Sequence, residues 1–208
     1  MIVSIHQPNY LPWIGYFNKI SRSDIFVIFD DVQFPKGKKG FFGNRNKIKT
    51  NNGELWLTVP VLDRSQHKKF NEIKINYDGW NHKHLLNIKN FYKKTPFFNL
   101  YYDDLEDIIL KEYDTISDLS TSLIKYFLTQ LDIFYILESF PTDKYLTSDG
   151  PGSMRYIKEE DFKEKSIELV WQKFHHPTYT QRFGEFKSHL SIIDLLFNYG
   201  DESRGYIK

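Results

Sequence analysis

Residues His6 to Phe17, HQPNYLPWIGYF, crowd one imidazole, two carboxamides, two prolines, a glycine and four aromatic rings into twelve positions. An imidazole titrates near neutrality, so it can take a proton from a nucleophile or meet a developing negative charge. His6 and Tyr16 are the catalytic candidates here, and Asn9 and Gly15 are candidates for holding phosphate. A second stretch, LTSDGPGSMRY from Leu146 to Tyr156, has a different chemistry. A glycine-bearing turn that opens a helix offers unpaired backbone amides and the positive end of the helix dipole to an anion. Ser148, Gly150, Gly152 and Ser153 form that candidate phosphate cradle, with Arg155 as a guanidinium clamp and Tyr156 beside the substrate.

Three further clusters carry polar chemistry. DDVQF places Asp30, Asp31 and Gln33 at the end of a strand. Adjacent strand residues face opposite sides, so one of the two carboxylates is expected to reach a ligand, either Mg²⁺-nucleotide or a substrate ammonium, with Gln33 on the substrate. Asn44, Arg45 and Asn46 form a polar group in which Arg45 offers a fork that fits phosphate or carboxylate. His175, His176 and Tyr179 follow a late strand, where one histidine can act as general base and Tyr179 can contact substrate. Zinc is not expected: two adjacent histidines do not readily share a metal, and no Asp or Glu stands at a ligand spacing such as HExxH. His82 and His84 are expected at the surface, and Lys36, Lys38 and Lys39 in a solvated loop. Asp194, inside an apolar helix, needs a buried partner such as an arginine.

The elements that must position these groups follow from hydrophobic spacing. Met1 to Ile5 reads as a buried strand, and Leu11, Ile14, Phe17 and Ile20 recur at helical spacing behind Pro12. Ile25 to Phe29 is a second strand, apolar enough for burial on both faces, so residues 1–33 make a βαβ unit. NNG at 51–53 between NRNKIKT and ELWLTVPV predicts a β-hairpin, and FNEIKINYD alternates like a third antiparallel strand, within a hairpin insertion over 34–78. Three helices are expected over 79–132, the last started by Ser117 and Asp118. In 133–208, IFYILES, KYLTS and IELVWQKF read as strands, DGPGSMRYIKEEDFKEK as a loop and helix, and HLSIIDLLFNYG as an amphipathic helix stopped near Gly200. In an open parallel sheet, the loops after strands one and KYLTS share the ligand-binding rim.

Composition narrows the partners. A formal net charge of +1, from 28 basic and 27 acidic residues among 208, gives no general attraction to nucleic acid or to a membrane surface. The absence of cysteine excludes disulfides, thiolate nucleophiles and Cys-bound zinc. No apolar run approaches the roughly 20 residues of a membrane span, and the amino terminus has no basic leader or cleavage site, so the cytoplasm is the expected compartment.

Two resemblances add to this. In layout, the opening stretch resembles the nucleotidyltransferase-like branch of the HUP superfamily, in which a first strand runs into a loop and then a Gly-His pair at a helix start. Here that pair reads Gly15-Tyr16, so the resemblance implies His6 against phosphate charge and Tyr16 in a hydrogen-bonding role, without the second histidine. From end to end, HQPNYLPWIGYF, DDVQF, NRNKIKT, WLTVPV, LTSDGPGSMRY, FHHPTY and LSIIDLLFNYG resemble the WbqC-like family. That resemblance implies a role in O-antigen and related polysaccharide biosynthesis; some members are labelled glycine transferases acting on aminosugars.

The expectation is therefore a Rossmann-like α/β domain with a hairpin insertion and a helical part. Its expected function is amide formation on a nucleotide-linked aminosugar with a small acyl donor. A ligase version uses ATP and Mg²⁺; a transferase version takes an activated acyl group and needs neither. The alternative is a non-catalytic protein of polysaccharide assembly that holds a sugar nucleotide.

Overall fold

The computed structural model describes residues 1–35, 42–62, 67–134, 144–148 and 157–208, with the side chains of Lys144, Tyr145 and Ser148 outside that description. The elements are β1 (Ile2–His6), α1 (Ile14–Ser21), β2 (Ile25–Ile28), β3 (Arg45–Thr50), β4 (Gly53–Thr58), α2 (Trp80–Tyr92), α3 (Phe98–Leu110) and α4 (Ile116–Gln130). They continue as β5 (Lys144–Ser148), α5 (Glu159–Lys163), β6 (Glu168–Gln172), α6 (Ile192–Tyr199) and α7 (Ser203–Ile207).

The result is a mixed α/β chain whose main sheet has four parallel strands in the order β2-β1-β5-β6. β1 pairs with β2 from Val3↔Ile25 to His6↔Ile28, and with β5 from Ile2↔Lys144 to Ser4↔Leu146. Because all four strands run the same way, every loop after a strand emerges at one rim. Burial of the sheet is less even than the apolar runs predict: Phe29 remains 42% exposed, while Ile25 and Phe26 are buried.

β3 and β4 form a separate antiparallel pair in register from Arg45↔Thr58 to Thr50↔Gly53, with Gly53 at φ 117° closing the turn, a backbone angle that favours glycine. The third strand expected from FNEIKINYD does not form. Phe70–Glu72 is a short 3₁₀ turn, and Lys74 and Ile75 make only single bridges, to Thr115 and Val61. The reason lies in the backbone: the amides of Phe70 and Asn71 donate to the carbonyls of Val32 and Asp30, so they are withdrawn from a ladder.

The three helices after Gly79 appear as the periodicity predicts. α4 is capped by Thr115 rather than started by Ser117: the Asp118 amide donates to the Thr115 hydroxyl at 3.2 Å, and the Thr115 amide donates to the Asp118 carboxylate at 3.2 Å. The core is continuous. Phe17 and Ile20 of α1, Ile48 and Leu57 of the hairpin, Ile88, Ile109, Leu123 and Phe127 of α2–α4, and Leu196 of α6 are all buried in one cluster. Among the described residues no helix is long and apolar enough to cross a membrane.

Candidate functional site

His6 ends the central strand, so it stands at the rim with a neighbour on either side. Its partner across β2 is Ile28, and it lies two residues beyond Ser4 just as Ser148 lies two beyond Leu146, the last β1–β5 pair. The half-buried ring donates Nδ1–H to the Gln7 carbonyl at 2.9 Å, which leaves Nε2 as the unprotonated nitrogen. Tyr16 meets the ring edge-on at 4.8 Å and donates its own hydroxyl to the same Gln7 carbonyl at 3.2 Å.

Lys19 was not legible as a member of this group. It lies one turn after Tyr16, so both side chains return from α1 toward β1. It is 2% exposed, and Nζ donates to the Ile5 carbonyl at 2.8 Å. Burial pushes the Lys19 ammonium down to about 7. Burial, and then the nearby Lys19 charge, push His6 down to about 4, against a smaller opposing effect of the Gln7 carbonyl. At neutral pH the rim therefore holds a neutral imidazole and an amine close to its titration midpoint.

The loop that carries Asn9, Gly15 and the bulky rings is shaped by close packing. Leu11 sits at φ 46°, an unusual angle for a branched side chain, and the Asn46 amide group fastens its carbonyl at 2.5 Å. Asn9 is buried. At Gly15 an added Cβ would lie 2.2–2.7 Å from the Trp13 ring, and the Gly15 carbonyl accepts from Gln172 at 2.9 Å. Gly15→Ala is therefore expected to displace Trp13 and lower stability by about 1–3 kcal/mol, measurable by denaturant titration followed through tryptophan fluorescence.

Other candidates are spread around this centre. β2 ends at Ile28, so Asp30 and Asp31 lie in the loop beyond the strand, where strand alternation does not apply: Asp30 accepts from the Ser117 hydroxyl of α4 at 2.7 Å, and Asp31 is exposed. Gln33 is exposed and hydrogen-bonds His67. Asn44 and Asn46 are buried and serve the fold, Asn44 donating to the Val59 carbonyl at 2.7 Å. The Arg45 guanidinium lies 4.5 Å from the centre of the Trp56 ring. Gly150, Gly152, Ser153, Arg155 and Tyr156 lie outside the described residues, as do most of IFYILES and the lysines at 36, 38 and 39.

After β6 the two adjacent histidines part. His175 is exposed, and His176 is half-buried in an aromatic group. The His176 ring lies nearly parallel to Trp13 at 6.0 Å and to Tyr179 at 6.3 Å, with His189 at 5.3 Å. Burial lowers its pKa. Tyr179 turns inward: its hydroxyl donates to Asp194 at 2.9 Å, and the Tyr92 hydroxyl donates to the other oxygen at 2.8 Å. The partners of Asp194 are thus two tyrosines and Gln181, with the Lys49 charge nearby, in place of the expected arginine. Its burial pushes the carboxyl up to about 6. His84 also departs from expectation, being buried with Nδ1 2.9 Å from the Tyr10 hydroxyl.

Comparison with known proteins agrees with the resemblance in the sequence. The pattern of the WbqC-like protein family matches residues 7–140 and 133–206. Uncharacterized protein Rv1507c of Mycobacterium tuberculosis is 33% identical over 227 aligned residues, which cover 99% of this chain and 97% of that protein. No solved structure matches. With the match running from the rim loop after β1 into the final helix, the chain belongs to the WbqC-like protein family.

Proposed function

We propose that this protein forms an amide on the amino group of a nucleotide-linked aminosugar, adding glycine or a similar small acyl group during assembly of O-antigen or related surface polysaccharide. The observation that carries the reading is the neutral His6 imidazole at the rim, its Nδ1 engaged by Gln7 and its Nε2 left as an acceptor. A sugar amine attacks an acyl carbon only as the free base, and such a nitrogen takes up the proton that the amine releases. Membership of the family is consistent with that chemistry.

In this reading the sheet is Rossmann-like, of the HUP or nucleotidyltransferase-like kind, with the β3–β4 hairpin inserted between the first βαβ unit and the helices. Ser148, Gly150, Gly152, Ser153 and Arg155 bind phosphate, Asp31 binds Mg²⁺ or the sugar ammonium, and the protein works in the cytoplasm where nucleotide sugars are made. In the ligase version a glycine carboxylate attacks the α-phosphorus of ATP, releasing pyrophosphate, and the amine then displaces AMP. In the transferase version the amine displaces the carrier of a preformed activated acyl group.

A second reading, a non-catalytic sugar-nucleotide-binding protein, is favoured by one observation: Trp13 fills the space above Gly15, at the helix start where a HUP-like phosphate would approach. Turnover separates the two. Purified protein with glycine, a panel of nucleotide aminosugars and either ATP–Mg²⁺, glycyl-CoA or glycyl-tRNA should yield a product heavier by one glycyl group. His6→Gln should slow that product roughly 10²–10⁴-fold without changing the melting temperature greatly. Ligand-induced stabilisation with no product from any donor would establish the binding reading.

A further inference from the structure

A second concavity lies against α1 on the flank where the chain leaves β6. It is an open cleft of about 410 Å³, within the size range of small-ligand sites, whose walls include Arg22, Lys173, Phe174, His175, Tyr206 and Lys208. Its base is preorganised by Asn18, which donates to the Ile207 carbonyl at 2.7 Å and accepts from Gln172 at 2.7 Å, tying α1, β6 and α7 together.

The charge around this cleft is one-sided. No aspartate or glutamate lines it, and Arg22, Lys173 and Lys208 form no ion pair among the described residues. Carboxylates meet cations at some other places on the surface, Lys47 reaching Glu54 at 2.8 Å and Arg204 reaching Asp132 at 3.4 Å. A chain with 28 basic and 27 acidic residues has enough acid to neutralise such a group. Two side-chain cations, Arg22 and Lys173, in a wall without an acidic side chain favour a ligand with more than one negative charge. Both aromatic walls pack edge-on against another ring, Phe174 against Trp13 at 5.6 Å and Tyr206 against Tyr199 at 5.0 Å, and aromatic side chains of this kind suit a planar group.

We propose that this cleft binds a nucleoside diphosphate, with the phosphates on Arg22 and Lys173 and the base against Phe174 and Tyr206. The proposal deepens the reading above by seating the nucleotide part of the sugar nucleotide here, which leaves the loop from Ser148 to Arg155 to the phosphates of ATP in the ligase version, and it rests on that reading only for the sugar attached. Phe174 also touches His176 at 6.1 Å, so the seat adjoins the aromatic group below the rim.

The test is calorimetric titration of the whole protein with UDP and with ADP, using uridine and inorganic pyrophosphate as controls. At least one diphosphate should bind more tightly than either control, and the affinity should fall as salt is raised. Arg22→Ala/Lys173→Ala should weaken it about tenfold or more, the usual consequence of losing charge-assisted contacts. Both residues are exposed, so circular dichroism and the melting temperature should stay as in the parent. No binding of either diphosphate, unchanged affinity in the double variant, or pyrophosphate binding as tightly as the nucleotides would overturn the assignment. Absence of acyl transfer alongside binding that depends on Arg22 and Lys173 would remove the proposed function and leave this site standing; turnover with an unaffected double variant would do the reverse.

Discussion

Replacing Lys19 with methionine is expected to stabilise the fold at pH 7 while impairing turnover. Methionine fills nearly the same volume without an ammonium group, and Lys19 is 2% exposed. The native group is held near 7, whereas an unfolded lysine titrates near 10.5. A depressed pKa means that the unfolded chain binds the extra proton between those values, so the parent gains stability as pH rises from 7 to 10.5 and loses it as pH falls through 7. Removing the group should therefore raise stability by up to about 4 kcal/mol at pH 7, and the advantage should shrink toward zero by pH 10.5. Denaturant unfolding of both proteins at a series of pH values measures it; a Lys19→Met protein less stable than the parent at pH 7 would contradict the burial argument. Activity should respond in the opposite direction. Without the Lys19 charge the His6 pKa climbs from about 4, so the acid limb of the rate profile should move to higher pH.

Asp194→Ala should be the most damaging single change in the interior. The carboxylate is fully buried, accepts from Tyr92 and Tyr179, and balances the charge of buried Lys49. Truncation leaves two hydroxyls without their acceptor, removes the negative charge near Lys49 and opens a cavity, a loss of about 3–5 kcal/mol. Asp194→Asn keeps the shape and one acceptor, so its cost should be smaller and should vary with pH. The native carboxyl sits near 6 against 3.8 when free. Its raised pKa contributes stability that is complete below 3.8 and lost as pH rises through 6. The gap between parent and Asp194→Asn should accordingly narrow between pH 4 and pH 7, and a gap that widens would mean the carboxylate is ionised throughout.

The frame of the fold was readable because short β-branched runs and helical spacing report local burial. β1, β2, β5 and β6, and the helices after Gly79, lie where those patterns place them. The pattern failed where the question was about backbone partners rather than side chains. Ile73, Ile75 and Tyr77 alternate as a strand does, yet alternation does not reveal that Phe70 and Asn71 donate to the loop after β2. It failed again for polar residues buried by distant elements. A lysine on a helix usually extends its charge to water, and only the return of α1 across β1 encloses Lys19. His84 is hidden by Tyr10, 74 residues earlier. For Asp194 the need for a partner was legible, but the tyrosines come from α2 and from the segment after β6, which no local spacing connects.

The position of β1 between β2 and β5 also bears on how the protein is made. β5 begins only at Lys144, after the hairpin and α2–α4. A ribosome that has released the chain as far as α4 holds a two-stranded sheet with one side of β1 bare, offering its amides and carbonyls to any extended peptide. Nascent copies are thus prone to self-association during that interval; the arrival of Lys144–Ser148 covers β1 and passes the open edge to β5, which Glu168–Gln172 then covers.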